Sequence, residues 1–332
     1  MKLLIQLSSV FTVILRFLPT ELSHMLALEG LKIITYMGFK IKPTHTEVST
    51  VLGIDFVNGL GLAAGLDKNG DYINCLASLG FGFLEIGTVT PKPQYGNKKP
   101  RLFRIRSKRA LVNNMGFNNK GVDYLVNKVR KSNAGIPLGI SIGKNFNTPL
   151  ESAIDDYLIC LSKVYKVADY IAVNISSPNT KHLRSLQSKT YINDLLISIK
   201  RRQVELAQES EYTPILIKIS PDMSEEDLKN LSTSVLVNNL DGIICSNTTT
   251  HHNHYLGKGG LSGKPLLESS TRTLETLRSL VGKDLPIIAS GGVMDLESYR
   301  MKIDKGANLV QIYTGFIYEG PSLVDKIINS VS

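Results

Sequence analysis

From Leu60 onward, short apolar runs alternate with longer stretches whose apolar residues recur every three or four positions. The runs at 60–64, 82–87, 137–142, 169–174, 214–219, 240–245, 286–290 and 307–312 are short, rich in Val, Ile and Leu, and bounded by turn-forming residues, as buried strands are. Helical periodicity lies between most of them, at 150–166, 190–208, 224–236 and 267–281. Strand alternating with helix implies a parallel sheet, because a parallel crossover needs a helix to return the chain. Eight such units with no doubling back predict a closed (β/α)8 TIM barrel of the α/β class rather than an open sheet. No Gly-x-Gly-x-x-Gly opens a helix after the first strand, which counts against a dinucleotide-binding fold.

The N-terminal pattern is different. Residues 3–18 are mostly apolar, and Leu4, Leu7, Phe11, Ile14 and Leu18 share one helical face. The stretch is shorter than the roughly 20 residues that a spanning helix needs. Arg16 breaks the apolar run and no small-x-small cleavage site follows Leu18, so a secretory signal is not expected. Pro19-Thr20-Glu21 starts a second helix over about 20–37, carrying Leu22, Met25, Leu26, Leu28, Leu31, Ile33 and Ile34, and Gly38 marks its end. Two short apolar helices ahead of the main body read as a hairpin at a membrane surface, or as a helical pair packed on the barrel as ordinary core.

Composition adds three constraints. At 332 residues the chain fits one large α/β barrel or two domains, and at 42% hydrophobic and 20% charged it can build a full core. The net charge of +9 fits either a lysine-rich solvated surface or attraction to anionic lipid or an anionic substrate. The basic residues are scattered, so no nucleic-acid partner is expected. Cys75, Cys160 and Cys245 show no C-x-x-C spacing, which argues for a reducing compartment and against a bound metal.

The candidate chemistry follows from where polar residues fall. Barrel enzymes carry their chemistry at the C-terminal ends of the strands. Here those ends read Ala64-Gly65-Leu66-Asp67-Lys68-Asn69, Gly87-Thr88-Val89-Thr90, Ser141-Ile142-Gly143-Lys144, Asn174-Ile175-Ser176-Ser177-Pro178-Asn179-Thr180, Lys218-Ile219-Ser220, Ser246-Asn247-Thr248, Ser290-Gly291-Gly292 and Tyr313-Thr314-Gly315. Gly260-Leu261-Ser262-Gly263 and the last two termini supply glycines in the part of a barrel that often binds phosphate, where backbone N–H groups must come close. The segment after the fourth strand offers two amides and two hydroxyls, which suits a planar polar ligand. Lys218 sits inside Ile215-Leu216-Ile217-Lys218-Ile219, at the end of a buried strand, so an ordinary surface lysine is not expected there.

The Asn174–Thr180 segment resembles the active-site segment of the dihydroorotate dehydrogenases, and Arg101-Leu102-Phe103-Arg104-Ile105 followed by Asn113-Asn114-Met115-Gly116-Phe117-Asn118-Asn119 resembles the same family. A serine at position 177, where the soluble class carries cysteine, is similar to the membrane-associated, quinone-linked class. The resemblance covers nearly the whole chain and is weakest over residues 1–50. It implies FMN as cofactor, with Ala64, Gly65, Leu66, Asp67, Lys68, Thr88, Ser141, Asn174, Lys218, Ser246, Gly263, Gly292, Tyr313 and Thr314 at cofactor positions. It implies dihydroorotate, oxidised to orotate in pyrimidine synthesis, at Lys68, Asn113, Asn114, Met115, Gly116, Phe117, Asn174, Asn179, Asn247 and Thr248. Ser177 falls at the position of the catalytic base, and His24 and Arg104 at the tunnel through which ubiquinone or menaquinone reaches the flavin. The implied division is a helical membrane and quinone-access segment at 1–40 and a catalytic barrel at 41–332. The implied location is peripheral, on the cytoplasmic side of the inner membrane, and a monomer is expected. Three rim positions depart from the commonest family pattern: Ser141 replaces an asparagine, Ser246 a threonine and Thr314 a serine. Two other readings compete: a flavin-dependent RNA uridine reductase, which needs a catalytic cysteine in a rim loop, and a membrane-attached phosphate-ligand binding protein that uses the barrel only as scaffold.

Overall fold

The computed structural model describes residues 15, 17–38, 40–41, 48–180, 183–187, 189–252 and 258–330. The expected first helix at 3–18 therefore lies almost wholly outside the described residues. The second spans Thr20–Tyr36 (α1), and Gly38, at φ +94°, follows its end.

Eight parallel strands close into a barrel. In chain order they are Leu60–Leu62, Phe83–Val89, Leu138–Ile142, Tyr170–Asn174, Ile215–Ile219, Gly242–Cys245, Ile287–Ser290 and Leu309–Ile312, one for each apolar run read from the sequence. Nearly all of their residues are buried, which is why the sequence shows continuous apolar runs and not alternation. The outer helices include Ala153–Val164, Lys189–Ala207, Glu225–Val237, Leu267–Val281 and Leu296–Asp304. Their apolar faces pack with the outward strand residues in one large core. Ser224 caps the third of these by accepting from Asp227 N–H, and Asp295 with Ser298 forms a capping box at the last.

Two small sheets lie at the ends of the barrel. An antiparallel hairpin, Ser49–Val51 with Ile54–Phe56, sets Phe56 among the barrel-strand residues Phe83, Tyr170, Leu216, Ile244, Ile288 and Leu309. The Phe56 and Phe83 rings meet edge to face at 5.4 Å. Space for these rings is made by glycine: a Cβ on Gly61 would fall 2.2 Å from the Phe83 ring, and one on Gly139 2.1 Å from the Tyr170 ring.

At the other end, Leu102–Ile105, Ala110–Asn113 and Gly260–Gly263 form a three-stranded antiparallel sheet beside the rim. The glycine-bearing 260–263 segment, expected as a phosphate loop, is thus a strand whose last residues face the rim. Helix α1 is fastened to this region. Arg101 pairs with Glu21 at 3.1 Å and Arg104 donates to Ser23 Oγ at 3.4 Å.

Candidate active site

A cavity opens at the C-terminal rim, with a volume of about 1030 Å³ when the open space at its mouth is included. It gathers most of the residues read from the sequence: Ala64, Gly65, Lys68, Thr88, Asn113, Met115, Gly116, Phe117, Asn174, Ser177, Asn179, Lys218, Ser246, Asn247, Thr248, Gly263, Gly292, Tyr313 and Thr314. They come from all but one of the barrel strands or the loops after them, and from the rim sheet.

Six named residues do not line it. Leu66 is buried, and the Asp67 carboxylate turns back on its own loop, accepting from the N–H groups of Asn69, Asp71 and Tyr72 at 3.2, 3.0 and 2.7 Å. Asp67 therefore shapes the turn that presents Lys68. Ser141 is fully buried, with its hydroxyl 2.8 Å from that of Thr88, so it stands behind a lining residue. Asn114 accepts at Oδ1 from Asn97 Nδ2 at 2.8 Å and braces the rim loop. His24 and Arg104 also lie outside the cavity wall. His24 is half-buried on α1, against the Leu66 backbone and near Lys68; burial first and the Lys68 charge second push its pKa down to about 4. The ring is neutral at neutral pH.

The amides of the wall are held by one another. Asn174 donates to Thr88 Oγ1 at 2.9 Å and accepts from Ser176 N–H at 3.2 Å and Asn247 Nδ2 at 3.4 Å. Asn179 donates to Asn113 Oδ1 at 2.9 Å, and Asn113 donates to the Gly260 carbonyl at 3.3 Å. Asn179 N–H donates to Ser177 Oγ at 3.3 Å, which fixes the hydroxyl over the cavity. Three buried wall atoms have no protein partner: Asn179 Oδ1, Thr248 Oγ1 and Gln311 Oε1. Buried polar atoms are normally satisfied, so these point to a polar ligand or ordered water in the cavity.

A family model described as dihydroorotate dehydrogenase matches residues 47–332. The chain belongs to the dihydroorotate dehydrogenase family. It is 49% identical to a protein of Pectobacterium atrosepticum described as "Dihydroorotate dehydrogenase (quinone)", over 95% of this chain and 96% of that one. A protein of Acinetobacter baylyi with the same description is also 49% identical, over the same shares. Among solved structures, DHODH of Eimeria tenella in complex with ferulenol superposes with a TM-score of 0.86 at 32% identity, covering 93% of this chain and 89% of that one.

Within this dihydroorotate dehydrogenase barrel, two buried networks support the wall that sequence reasoning misses. The first lies beneath the cavity. Lys218 Nζ pairs with Glu85 Oε1 at 3.0 Å, both side chains being almost fully buried. Glu85 Oε2 accepts from Gln311 Nε2 at 2.7 Å and Tyr170 OH at 3.1 Å. Lys218 and Gln311 line the cavity while Glu85 stands behind them. Burial and the neighbouring carboxylate raise the Tyr170 phenol well above its usual range, so it stays a donor. The second network is centred on Arg184, which donates to the Ser176 carbonyl at 3.1 Å and the Thr248 carbonyl at 2.8 Å and pairs with Asp222 at 2.7 Å. It ties the segment carrying Ser177 to the one carrying Asn247 and Thr248. No group of His, Cys, Asp and Glu able to hold a metal occurs among the described residues. Cys245, the rim cysteine a uridine reductase would need, is fully buried in its strand and outside the lining; burial pushes its thiol up to about 12.

Proposed function

We propose that this chain oxidises dihydroorotate to orotate and passes the electrons to a quinone, with one FMN held in the rim cavity as the redox group. The observation that carries this reading is the convergence of Ser177, Lys68 and four asparagine amides on one cavity wall, in a chain of this family. A ring bearing a carboxylate, carbonyls and N–H groups needs such a mixture of a cation, amide donors and amide acceptors.

The cavity suits FMN on its own terms. Gly263 and Gly292 have positive φ, and a Cβ there would fall 2.3 Å from the Arg109 carbonyl and 2.2 Å from Leu267 Cα. Backbone so stripped of side chains can approach a phosphate. Thr314 Oγ1, 2.8 Å from Ser262 Oγ, adds hydroxyls at the same end. Lys218 brings positive charge to the same cavity, where Thr88 and Asn174 would meet the ring. Held there by Gly263, Gly292, Thr314 and Lys218, FMN would supply the hydride-accepting and electron-releasing chemistry that oxidation of dihydroorotate by a quinone needs.

The chain's own residues do the rest. Lys68 Nζ, held by the Gly65 carbonyl at 2.7 Å, is placed to receive the substrate carboxylate. Asn113, Asn179 and Asn247 fix the plane of the ring. Ser177 Oγ is placed to take the proton from substrate C5 while its own hydroxyl proton passes to solvent, the C6 hydride being the electron pair that a bound flavin would accept. A serine is a weak base, so it depends on the enclosed wall and on the fixed orientation given by Asn179 N–H.

Helix α1 and the preceding residues form the quinone-access segment in this reading, with the catalytic domain starting near residue 41. Supporting it, α1 is apolar on more than one side: Leu28 and Leu31 are buried, while Met25 is 51% and Ile33 62% exposed. His24 and Ser23 face the barrel from the same helix. No helix among the described residues is long and apolar enough to cross a membrane. We read the chain as a monomer resting on the cytoplasmic face of the inner membrane through this helix.

The test is to mix the purified chain with dihydroorotate without oxygen and follow absorbance near ~450 nm, the band of an oxidised flavin. Bleaching that a short-chain ubiquinone reverses is expected. A yellow protein that does not bleach would discard the substrate, and a colourless one that takes up no FMN would discard the cofactor.

The same preparation gives a pH prediction. Burial, and next the Arg101 charge, push the Lys68 ammonium down to about 8. The cation is therefore present below pH 8 and lost above it. Orotate binding, followed by the flavin difference spectrum between about pH 6.5 and 9.5, is expected to weaken as pH rises through Lys68's pKa. Lys68→Met should bind orotate weakly at every pH and show no such limb. A limb that persists in Lys68→Met would assign the titration to another group.

A further inference from the structure

Lys302 is fully buried, yet no carboxylate among the described residues lies within ion-pair distance of it. It sits on the helix Leu296–Asp304, behind the barrel wall. Its Nζ donates to Ser270 Oγ at 2.7 Å. Ser270 in turn offers its hydroxyl proton to the Gly291 carbonyl at 2.9 Å and, at longer range, to the Leu267 carbonyl at 3.1 Å. The titratable group that faces Lys302 is Cys245, whose thiol burial keeps neutral, so it offers no counter-charge. Burial also pushes the ammonium of Lys302 down, to about 8. A buried charge is costly unless an opposite charge or strong hydrogen bonds offset it, and here one hydroxyl is the visible compensation.

What lies beyond that hydroxyl is the cavity. Gly291 and Gly292 line it at the end walled by Leu266, Gly263 and Thr314. Their φ values of +109° and +82° are ones that glycine adopts freely. In a trans peptide the N–H points opposite to the C=O. With the Gly291 carbonyl turned outward to Ser270, the Gly292 N–H is turned inward, to the cavity. No acceptor among the described residues takes it.

We propose that Lys302, acting through Ser270 and the Gly291–Gly292 peptide, is the buried cation that makes this end of the cavity select a flavin carrying a phosphate over one without it. The ammonium polarises the Ser270 hydroxyl, the hydroxyl polarises the carbonyl, and the peptide N–H becomes a stronger donor to an anion. The phosphate dianion supplies the negative charge that the burial of Lys302 lacks. Lys302 touches neither substrate nor cofactor, so it is a positioning residue. The inference rests on the flavin reading above.

The test compares two probes that differ only in the phosphate. The full chain, freed of bound flavin, is titrated with FMN and with riboflavin while flavin fluorescence is followed. Lys302→Met, which keeps the length and removes the charge, is expected to weaken FMN about tenfold or more, the scale of a charge-assisted hydrogen bond, with riboflavin affected about threefold or less. Ser270→Ala, which breaks the relay and keeps the lysine, should shift the same ratio in the same direction by about threefold. FMN and riboflavin weakening together in both variants would make the role purely structural and overturn the proposal, as would an unchanged ratio. Should Lys302→Met fail to fold, the ratio measured on Ser270→Ala decides. A native chain that binds neither flavin would fail the cofactor reading itself, a result distinct from any change of ratio.

Discussion

Replacing Ser177 by alanine is expected to slow flavin bleaching by dihydroorotate about 10²- to 10⁴-fold, the usual loss when a positioned general base is removed. The change deletes one oxygen and leaves the side-chain hydrogen bonds of the rest of the wall in place. Asn179 loses an acceptor for its N–H, but its side chain stays bonded to Asn113. Flavin content, orotate affinity and reoxidation by quinone should therefore stay near those of the native chain. Rapid mixing without oxygen separates the two half-reactions and shows where the loss falls. Bleaching within a few-fold of native in Ser177→Ala would sink the assignment. A loss shared equally by both halves would instead mean that the mutation disturbs the flavin, with Ser177 acting as a wall residue and not as the base.

The barrel was legible because a parallel sheet buried on both faces leaves a simple trace. Ile215–Ile219 and Tyr170–Asn174 have no solvent side, so every position is under pressure to be apolar, and the polar residues that end each run mark the rim. The end sheets leave no such trace. Ser49–Val51 and Ile54–Phe56 are three-residue strands with exposed positions, and Gly260–Gly263 pairs with a strand some 150 residues earlier, a partner no local pattern announces. Its glycines were visible; what they were for was not.

The rim residues were legible for the same reason, with exceptions of one kind. Asp67, Asn114 and Ser141 sit at the right places in the chain, yet their side chains are bonded to loop N–H groups, to Asn97 and to Thr88. Position along a strand says which residues reach the rim. It does not say which way each side chain turns once a neighbour offers a better partner. The replacement of asparagine by serine at 141 is accommodated in this way: the shorter side chain pairs with the Thr88 hydroxyl, which itself faces the cavity.

Glu85 is the residue whose signal was present and not used. A carboxylate inside Phe83-Leu84-Glu85-Ile86 and an ammonium inside Ile217-Lys218-Ile219 each break an apolar run in a strand with no solvent face. Neither is tenable alone in such a place. The two strands are not hydrogen-bonded neighbours, but inward-pointing side chains meet across a barrel interior, and the pair at 3.0 Å is the result.

That pair yields the second large effect. Glu85→Leu is expected to destabilise the fold by about 3–5 kcal/mol, because it leaves the Lys218 charge buried without its counter-charge and takes an acceptor from Gln311 and Tyr170. The cost falls on the barrel interior and should appear as a lower midpoint in urea unfolding, with the slope unchanged. Glu85→Leu combined with Lys218→Met removes both charges and should recover about half of the loss or more, since a buried pair replaced by apolar groups costs much less than a pair that is broken. Recovery will be incomplete, because Gln311 Nε2 and Tyr170 OH still lack their acceptor. A single variant within about 1 kcal/mol of native would mean that Lys218 finds another partner or escapes to water, and that Glu85 is not what holds it. The double variant also separates two roles that the native pair combines. It should regain stability while still presenting no positive charge to the flavin, so a stable barrel that oxidises dihydroorotate poorly would place the function of Lys218 in its charge and the function of Glu85 in making that charge tolerable.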